Sequence, residues 1–331
     1  MKYIINNITR IHLLVLALSF FCYPSFGQNI QFEYEKVPLN SGFKMDDYWV
    51  WCGSMIKVDS TYHLFASRWP KIGTFPEGYR QHSEIVRATS KSPLGPFVFQ
   101  EVAVGERDSL FWDSNMAHNP TVYKIDNKYV LFYIGSDFTS YQKNTGELLR
   151  RVGYAESKSI NGPWVRSNKP LLDFESNNPS VLVDGSKVKM VFRDRELKVS
   201  LAEAPNYKGT YSIVNKNVWP SARLEDFYLF KSQNKYHIVC EDNTGAVCGH
   251  ERWGIHLYSK DGVSNWMKYN PLIAYNHDIL LENDSVLHCV RRERPQFLIE
   301  NNKITYLINS VYDGHNSWSQ PVKLKHPIKL D

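Results

Sequence analysis

The chain is poor in the features that mark metal-finger, nucleic-acid and membrane proteins. It has five cysteines in 331 residues. Cys22 lies in the leader described below, which leaves Cys52, Cys240, Cys248 and Cys289. None of their spacings matches a zinc site. Cys240 and Cys248 could close a hairpin in an oxidising compartment, and four free thiols are the alternative. No Lys/Arg-rich run occurs and the formal charge is only +5, which excludes nucleic acid as an expected partner. Calcium-loop spacing is missing. So are a low-complexity linker and any amphipathic helix longer than two turns, so no second domain is indicated.

Long apolar runs are absent too. The first is residues 11–21, too short to span a bilayer. Lys2 and Arg10 precede it, and Ser25-Phe26-Gly27 offers a small-x-small cleavage site. Residues 1–27 therefore read as a secretory signal peptide, with a periplasmic or secreted mature chain and no stable membrane insertion. Its removal takes away Lys2 and Arg10 and no acid, lowering the charge from +5 to +3. What remains is 28–331, one domain with ample apolar content for a core.

A short phrase recurs at the start of five apparent strands. The copies are Trp51-Cys52-Gly53-Ser54-Met55, His118-Asn119-Pro120-Thr121-Val122, Asn177-Asn178-Pro179-Ser180-Val181, Glu225-Asp226-Phe227-Tyr228-Leu229 and Glu293-Arg294-Pro295-Gln296-Phe297. Their second residues are 67, 59, 48 and 68 positions apart. A turn follows each copy: Asp59-Ser60, Asp126-Asn127, Asp184-Gly185, Gln233-Asn234 and Asn301-Asn302. These residue types tolerate the positive φ of tight hairpins. Then comes an apolar, aromatic-rich strand, such as Tyr129-Val130-Leu131-Phe132. Such continuous runs suit sheets covered on both faces. Ser/Pro/Gly clusters at 90–96 and 157–163 mark later turns. A β-rich repeat of this period predicts an all-β, five-bladed β-propeller.

In a propeller the phrases crowd one end of the central channel. Trp51, His118, Asn177, Glu225 and Glu293 are equivalent, and Cys52, Asn119, Asn178, Asp226 and Arg294 follow them. Burying this many polar groups is costly. Either ion pairs plug the channel, or the carboxyl groups do acid/base work on a glycosidic bond, which needs two of them. Trp49 and Trp51 either stack on a sugar or pack the first blade. Arg68, Arg193 and Arg195 could hold an anionic substituent, or be ion-paired surface. His118 and His250 could hold hydroxyls. Residues 241–250 read as an active-site loop.

The phrases resemble those of the five-bladed propeller glycoside hydrolases of families 43, 62, 117 and 130, family 117 and its neighbours most of all. His118-Asn119-Pro120-Thr121-Val122, Gly153-Tyr154-Ala155-Glu156-Ser157, Glu225-Asp226 and Glu293-Arg294-Pro295-Gln296 carry the likeness, which spans about residues 45–320. It implies an exo-acting, inverting hydrolase that releases a terminal pentose (xylose or arabinose) or anhydrogalactose from plant or algal polysaccharide fragments. Glu225 sits where family 43 has its acid. Asp226 and Glu293 match an essential Asp and a Glu of family 117, whose His acid would be His277 or His288. The chain departs from the pattern at Cys52 and Asn119, where family 43 carries Asp. Asp46 or Asp47, just upstream, would then supply the base. Trp51, Arg68, His118, Asn119, Asn178, Arg193, His250, His277, His288 and Arg294 are the expected substrate contacts. No cofactor is implied, beyond a channel calcium found in some relatives. The rival readings are a non-catalytic sugar-binding propeller and a phosphorylase using Arg193, Arg195, Arg291, Arg292 and Arg294.

Overall fold

The computed structural model describes residues 29–137, 141–142 and 147–331. The expected leader, residues 1–27, lies outside the described residues. Each repeated phrase opens the innermost strand of one antiparallel sheet. Blade one is β1 (Tyr48–Val58), β2 (Thr61–Pro70), β3 (Glu84–Ser90) and β4 (Val98–Val104), with the single-turn α1 (Tyr79–His82) between β2 and β3. Blade two begins with β5 (Met116–Ile125) and β6 (Lys128–Ser136). The hairpin β7 (Tyr141–Gln142) and β8 (Glu147–Leu148) interrupts it before β9 (Arg151–Ser157) and β10 (Val165–Arg166). Blade three is β11 (Ser176–Asp184), β12 (Lys187–Asp194), β13 (Val199–Ala204) and β14 (Ser212–Asn215). Blade four is β15 (Leu224–Ser232), β16 (Lys235–Asp242), β17 (Trp253–Ser259) and β18 (Met267–Tyr275). After the hairpin β19 (Asp278–Leu280) and β20 (Val286–His288), blade five holds β21 (Arg291–Glu300), β22 (Lys303–Tyr312) and β23 (Ser317–Lys329). The propeller expected from the repeat is the observed architecture.

The phrases recur because each builds the same bulge. Pairing shifts by one residue between Trp51 and Ser54, His118 and Thr121, Asn177 and Ser180, Glu225 and Tyr228, and Glu293 and Gln296. The second residue of every phrase takes a left-handed conformation: Cys52 (φ 58°), Asn119 (56°), Asn178 (53°), Asp226 (57°) and Arg294 (52°). Asn and Asp reach this region at little cost, whereas Cys and Arg are strained there. A bulge of this kind re-aims a side chain, here towards the axis. The hairpin turns also match expectation, with positive φ at Asp59, Asp126, Gly185, Gln233, Asn234, Asn301 and Asn302.

The apolar middle strands are buried almost end to end, while the outer β4 is largely exposed. The core is a set of layers between adjacent blades. Phe65 and Ile85 meet Leu131 and Tyr133; Phe132 meets Met190 and Phe192; Val191 and Leu201 meet Leu229 and Ile238; Tyr228 and Val239 meet Phe297 and Leu307; Leu298 and Ile308 meet Val50 and Leu64. Each such side chain contributes roughly 1.5–3 kcal/mol by leaving water. Side-chain acceptors stitch the inner strands together. Ser54 Oγ accepts from Val122 N (3.1 Å), Tyr123 from Val181 N (3.2 Å) and Ser180 Oγ from Leu229 N (2.9 Å).

The ring closes through both ends of the described chain. Residues 33–43 touch β23 at two isolated bridges: Glu35 N donates to Lys323 O and Lys325 N to Glu33 O around Tyr34, and Phe43 and Ser319 exchange both backbone bonds, while Val37 between them pairs with Leu281. Cys52, Cys240, Cys248 and Cys289 are all free thiols. The hairpin disulfide does not form, because Cys240 is buried between blades while Cys248 points to His250 O (3.3 Å). Among the described residues no helix is long and apolar enough to cross a membrane.

Candidate active site

The five left-handed residues circle the axis, and Asn119 and Asn178 form the floor of a pocket with Cys52 buried against them. Cys52 Sγ donates to Asn119 Oδ1 (2.6 Å), and Asn119 Nδ2 donates to Asn178 Oδ1 (2.7 Å). Arg294 lies under this floor with no solvent exposure. Its guanidinium donates to Pro179 O (3.1 Å) and comes within 3.9 Å of Asp226. Blades two, three and four are thus tied to a cation carried by blade five. Burial pushes the Cys52 thiol well above its ordinary pKa, with Arg294 opposing, so it stays a thiol.

Three carboxyl groups converge above the floor. One oxygen each of Asp226, Glu241 and Glu293 lie within 4.8 Å of one another. Asp226 is at the bulge of β15, Glu293 begins the inner strand of blade five, and Glu241 ends β16 opposite Glu225. Arg252 Nη1 holds Glu241 (3.1 Å) and Glu293 (2.9 Å), and Arg291 Nε reaches Glu293 (3.3 Å). Burial, then the charges of Glu293 and Asp226, push Glu241 well above the ordinary carboxylate range against the pull of Arg252. Glu293 is also raised, chiefly by burial and then by Asp226, with Arg291 and Arg252 opposing. Two carboxylates this close cannot both ionise freely in a dry site. Glu225 is differently held: it is ion-paired with Arg193 and accepts from Asn243 Nδ2 (2.7 Å).

The pocket over these groups encloses about 260 Å³. That is below the roughly 300–1,000 Å³ of sites for drug-sized ligands, so it suits one sugar ring. Trp51, Trp69, Phe75 and Tyr79 form its apolar wall. Phe75 comes from the loop after β2 and stacks on Tyr312 (4.5 Å), with Trp51 tilted against it at 4.8 Å. His118 lies beneath Tyr79 (5.0 Å) with Nδ1 on Ser83 Oγ (2.8 Å). Burial, reinforced by Arg294 and Arg150, holds its pKa down to about 3, so the ring is neutral.

The structure brings together Trp51, His118, Asn119, Asn178, Arg193, Glu225, Asp226 and Glu293 in the pocket wall, with Arg294 beneath. It does not bring in the others. Asp46 and Asp47, expected to supply a base, are exposed ahead of β1 and do not line the pocket. Arg68 is outside the pocket, paired with Glu84 (2.8 Å) and covered by Tyr48. His250 is exposed and stacked on Trp253 (3.8 Å). Neither expected His acid lines the pocket: His277 bonds Arg252 O (3.2 Å), and His288 is an exposed partner of Asp278. Trp49 packs on Phe75 in blade one. Reading the sequence missed Arg252, Arg150 and Tyr79, and it placed Glu241 in an active-site loop where the structure has it near the end of β16. The discernible sign for Glu241 was the polar residue ending an apolar run, as Arg193 does in blade three.

The donor set of Asp226, Glu241 and Glu293 is of the oxygen-rich kind that hard cations take. It does not suit one here, because Arg252 already lies between Glu241 and Glu293 and Arg294 flanks Asp226.

No protein-family model matches the chain, and no curated protein matches it in sequence. Solved structures do match it in shape. The family 117 glycoside hydrolase Zg3597 of the marine bacterium Zobellia galactanivorans aligns with a TM-score of 0.61 at 15% identity, over 88% of this chain and 90% of its own. The catalytic domain of the Coprinopsis cinerea family 62 α-L-arabinofuranosidase gives 0.63 at 12% identity, over 90% and 98%. CoXyl43, a family 43 β-xylosidase/α-arabinofuranosidase from a compost metagenome, gives 0.61 at 14%, over 86% and 95%. The chain therefore has the five-bladed propeller fold also found in glycoside hydrolases of families 117, 62 and 43.

Proposed function

We propose that the chain is an exo-acting glycoside hydrolase that works outside the cytoplasm and removes one terminal sugar from a plant or algal polysaccharide fragment. The observation that carries this reading is the Asp226–Glu293 pair, two carboxyl groups from neighbouring blades facing one small, aromatic-walled pocket. Glu293 acts as the acid: its raised pKa keeps a proton available for the leaving oxygen. Asp226, beside Arg294, acts on the anomeric carbon or on the water that attacks it. Glu225 binds rather than donates, since Arg193 and Asn243 already occupy its oxygens. The resemblance implied inversion, which needs carboxyl groups roughly 6.5–9.5 Å apart. Asp226 and Glu293 each place one oxygen within 4.8 Å of the other, so their carboxyl groups lie side by side at the pocket.

The test is sugar release from a panel of plant and algal oligosaccharides by the wild type, Asp226→Asn and Glu293→Gln. Loss of a positioned acid or base should lower the rate about 10²–10⁴-fold. A second reading, a binding propeller without catalysis, is favoured by the neutral Cys52–Asn119 contact where the resemblance expects acids. Sugar binding by calorimetry with no release from any substrate would establish that reading and end the first.

A further inference from the structure

A neutral sugar ring is held by hydrogen bonds and aromatic faces and needs no net charge around it. This pocket is lined by five guanidinium groups (Arg80, Arg150, Arg193, Arg252 and Arg291) against three carboxyl groups, Glu225, Asp226 and Glu293. His118 adds no negative charge. Arg252 and Arg291 serve Glu293 and Glu241. Arg150 and Arg193 do not. They come from the opposite side, Arg150 ahead of β9 and Arg193 near the end of β12.

Arg150 stands close enough to disfavour the charge of Arg193, while Tyr79 and Glu175 favour its own. Burial, then the charge of Arg150, brings Arg193 down to about 10. Arg193 is 6% exposed and its Nε has no acceptor, although Glu225 pairs with the other end of the guanidinium. Arg150 is held in place by Glu175, which accepts from its Nε (2.7 Å) and backbone N (2.6 Å). A buried, unmet guanidinium N–H is expensive to keep. Each of the two guanidinium groups has one carboxylate, Glu225 for Arg193 and Glu175 for Arg150, and both line the pocket, where an anion would be a second charged acceptor for them.

We propose that the terminal sugar bears a negative charge, as a uronate carboxylate or a sulfate ester, and that Arg193 and Arg150 hold it. The substrate class so named rests on the hydrolase reading, but its recognition half does not depend on turnover. It replaces the neutral pentose or anhydrogalactose that the resemblance implied.

Calorimetry on the mature chain tests this with glucuronate, galacturonate and galactose 6-sulfate against glucose and galactose. At least one anionic sugar should bind about tenfold or more tightly than its neutral parent, the factor of a single charge-assisted hydrogen bond. The carboxylate and sulfate arms tell which anion is taken. The margin should shrink with added salt. It should collapse in Arg193→Gln and Arg150→Gln and survive in part in Arg193→Lys. Equal or tighter binding of the neutral sugars, no binding of any anionic one, or a margin unchanged in both Gln variants would overturn the proposal. The wild-type comparison decides even if a variant fails to fold. Anion preference without hydrolysis would instead sink the hydrolase reading and leave this one standing.

Discussion

Glu241→Gln isolates the proton that the site stores. Glu241 is fully buried and accepts from Asn243 Nδ2 (3.0 Å) and Arg252 Nη1 (3.1 Å), while its other oxygen meets no donor. Its pKa is raised in the fold, by burial first and then by Glu293 and Asp226. Unfolded, it should titrate near about 4.3. Above that pH the unfolded chain has released the proton and the native chain has kept it. The native state therefore binds more protons, and stability falls as pH rises. Below the unfolded pKa both states are protonated and this stabilisation is fully present. It is lost progressively up to the folded pKa, at up to about 1.4 kcal/mol per pH unit for one proton. Glutamine mimics the protonated acid and cannot titrate. Urea unfolding of wild type and Glu241→Gln at a series of pH values from 5 to 9 measures the difference. The variant should be similar in stability at pH 5 and gain on the wild type as pH rises. A gap that stays constant across that range would mean that Glu241 is ionised in the fold, and the reasoning about this cluster would be wrong.

Arg294→Met should cost about 3–5 kcal/mol, because it leaves Asp226 and the Pro179 carbonyl without their buried cation; the urea midpoint reads this, and an unchanged midpoint would refute it. Leu197 adopts φ 62° at 36% exposure with little packing to lose. Leu197→Gly should therefore stabilise the chain by up to about 1 kcal/mol, and a lower melting temperature would show that the left-handed strain is offset by contacts.

The propeller was legible because its repeat is enforced at every blade by the same bulge and the same turn. Five positions with positive φ select Asn, Asp or Gly often enough to leave a pattern, even though Cys52 and Arg294 break it. The pocket-facing members of the phrases were legible for the same reason. Arg252 and Arg150 were not. Both sit in connections whose path depends on the sheets they join, and no period marks them. Asp46 and Asp47 misled because nearness in sequence to an inner strand does not place a side chain at the axis. Arg68 misled because a cation at a strand end can be satisfied locally, here by Glu84.

The pairing of residues 33–43 with β23 also sets an order of events. Glu35 and Lys323 meet across 288 positions of sequence. The early segment must wait, unpaired, until almost the whole chain has been synthesised. Contacts of such separation are slow to form. Until then the circle has two open seams with apolar faces showing. The chain's vulnerability to aggregation is concentrated in the interval before this early segment pairs.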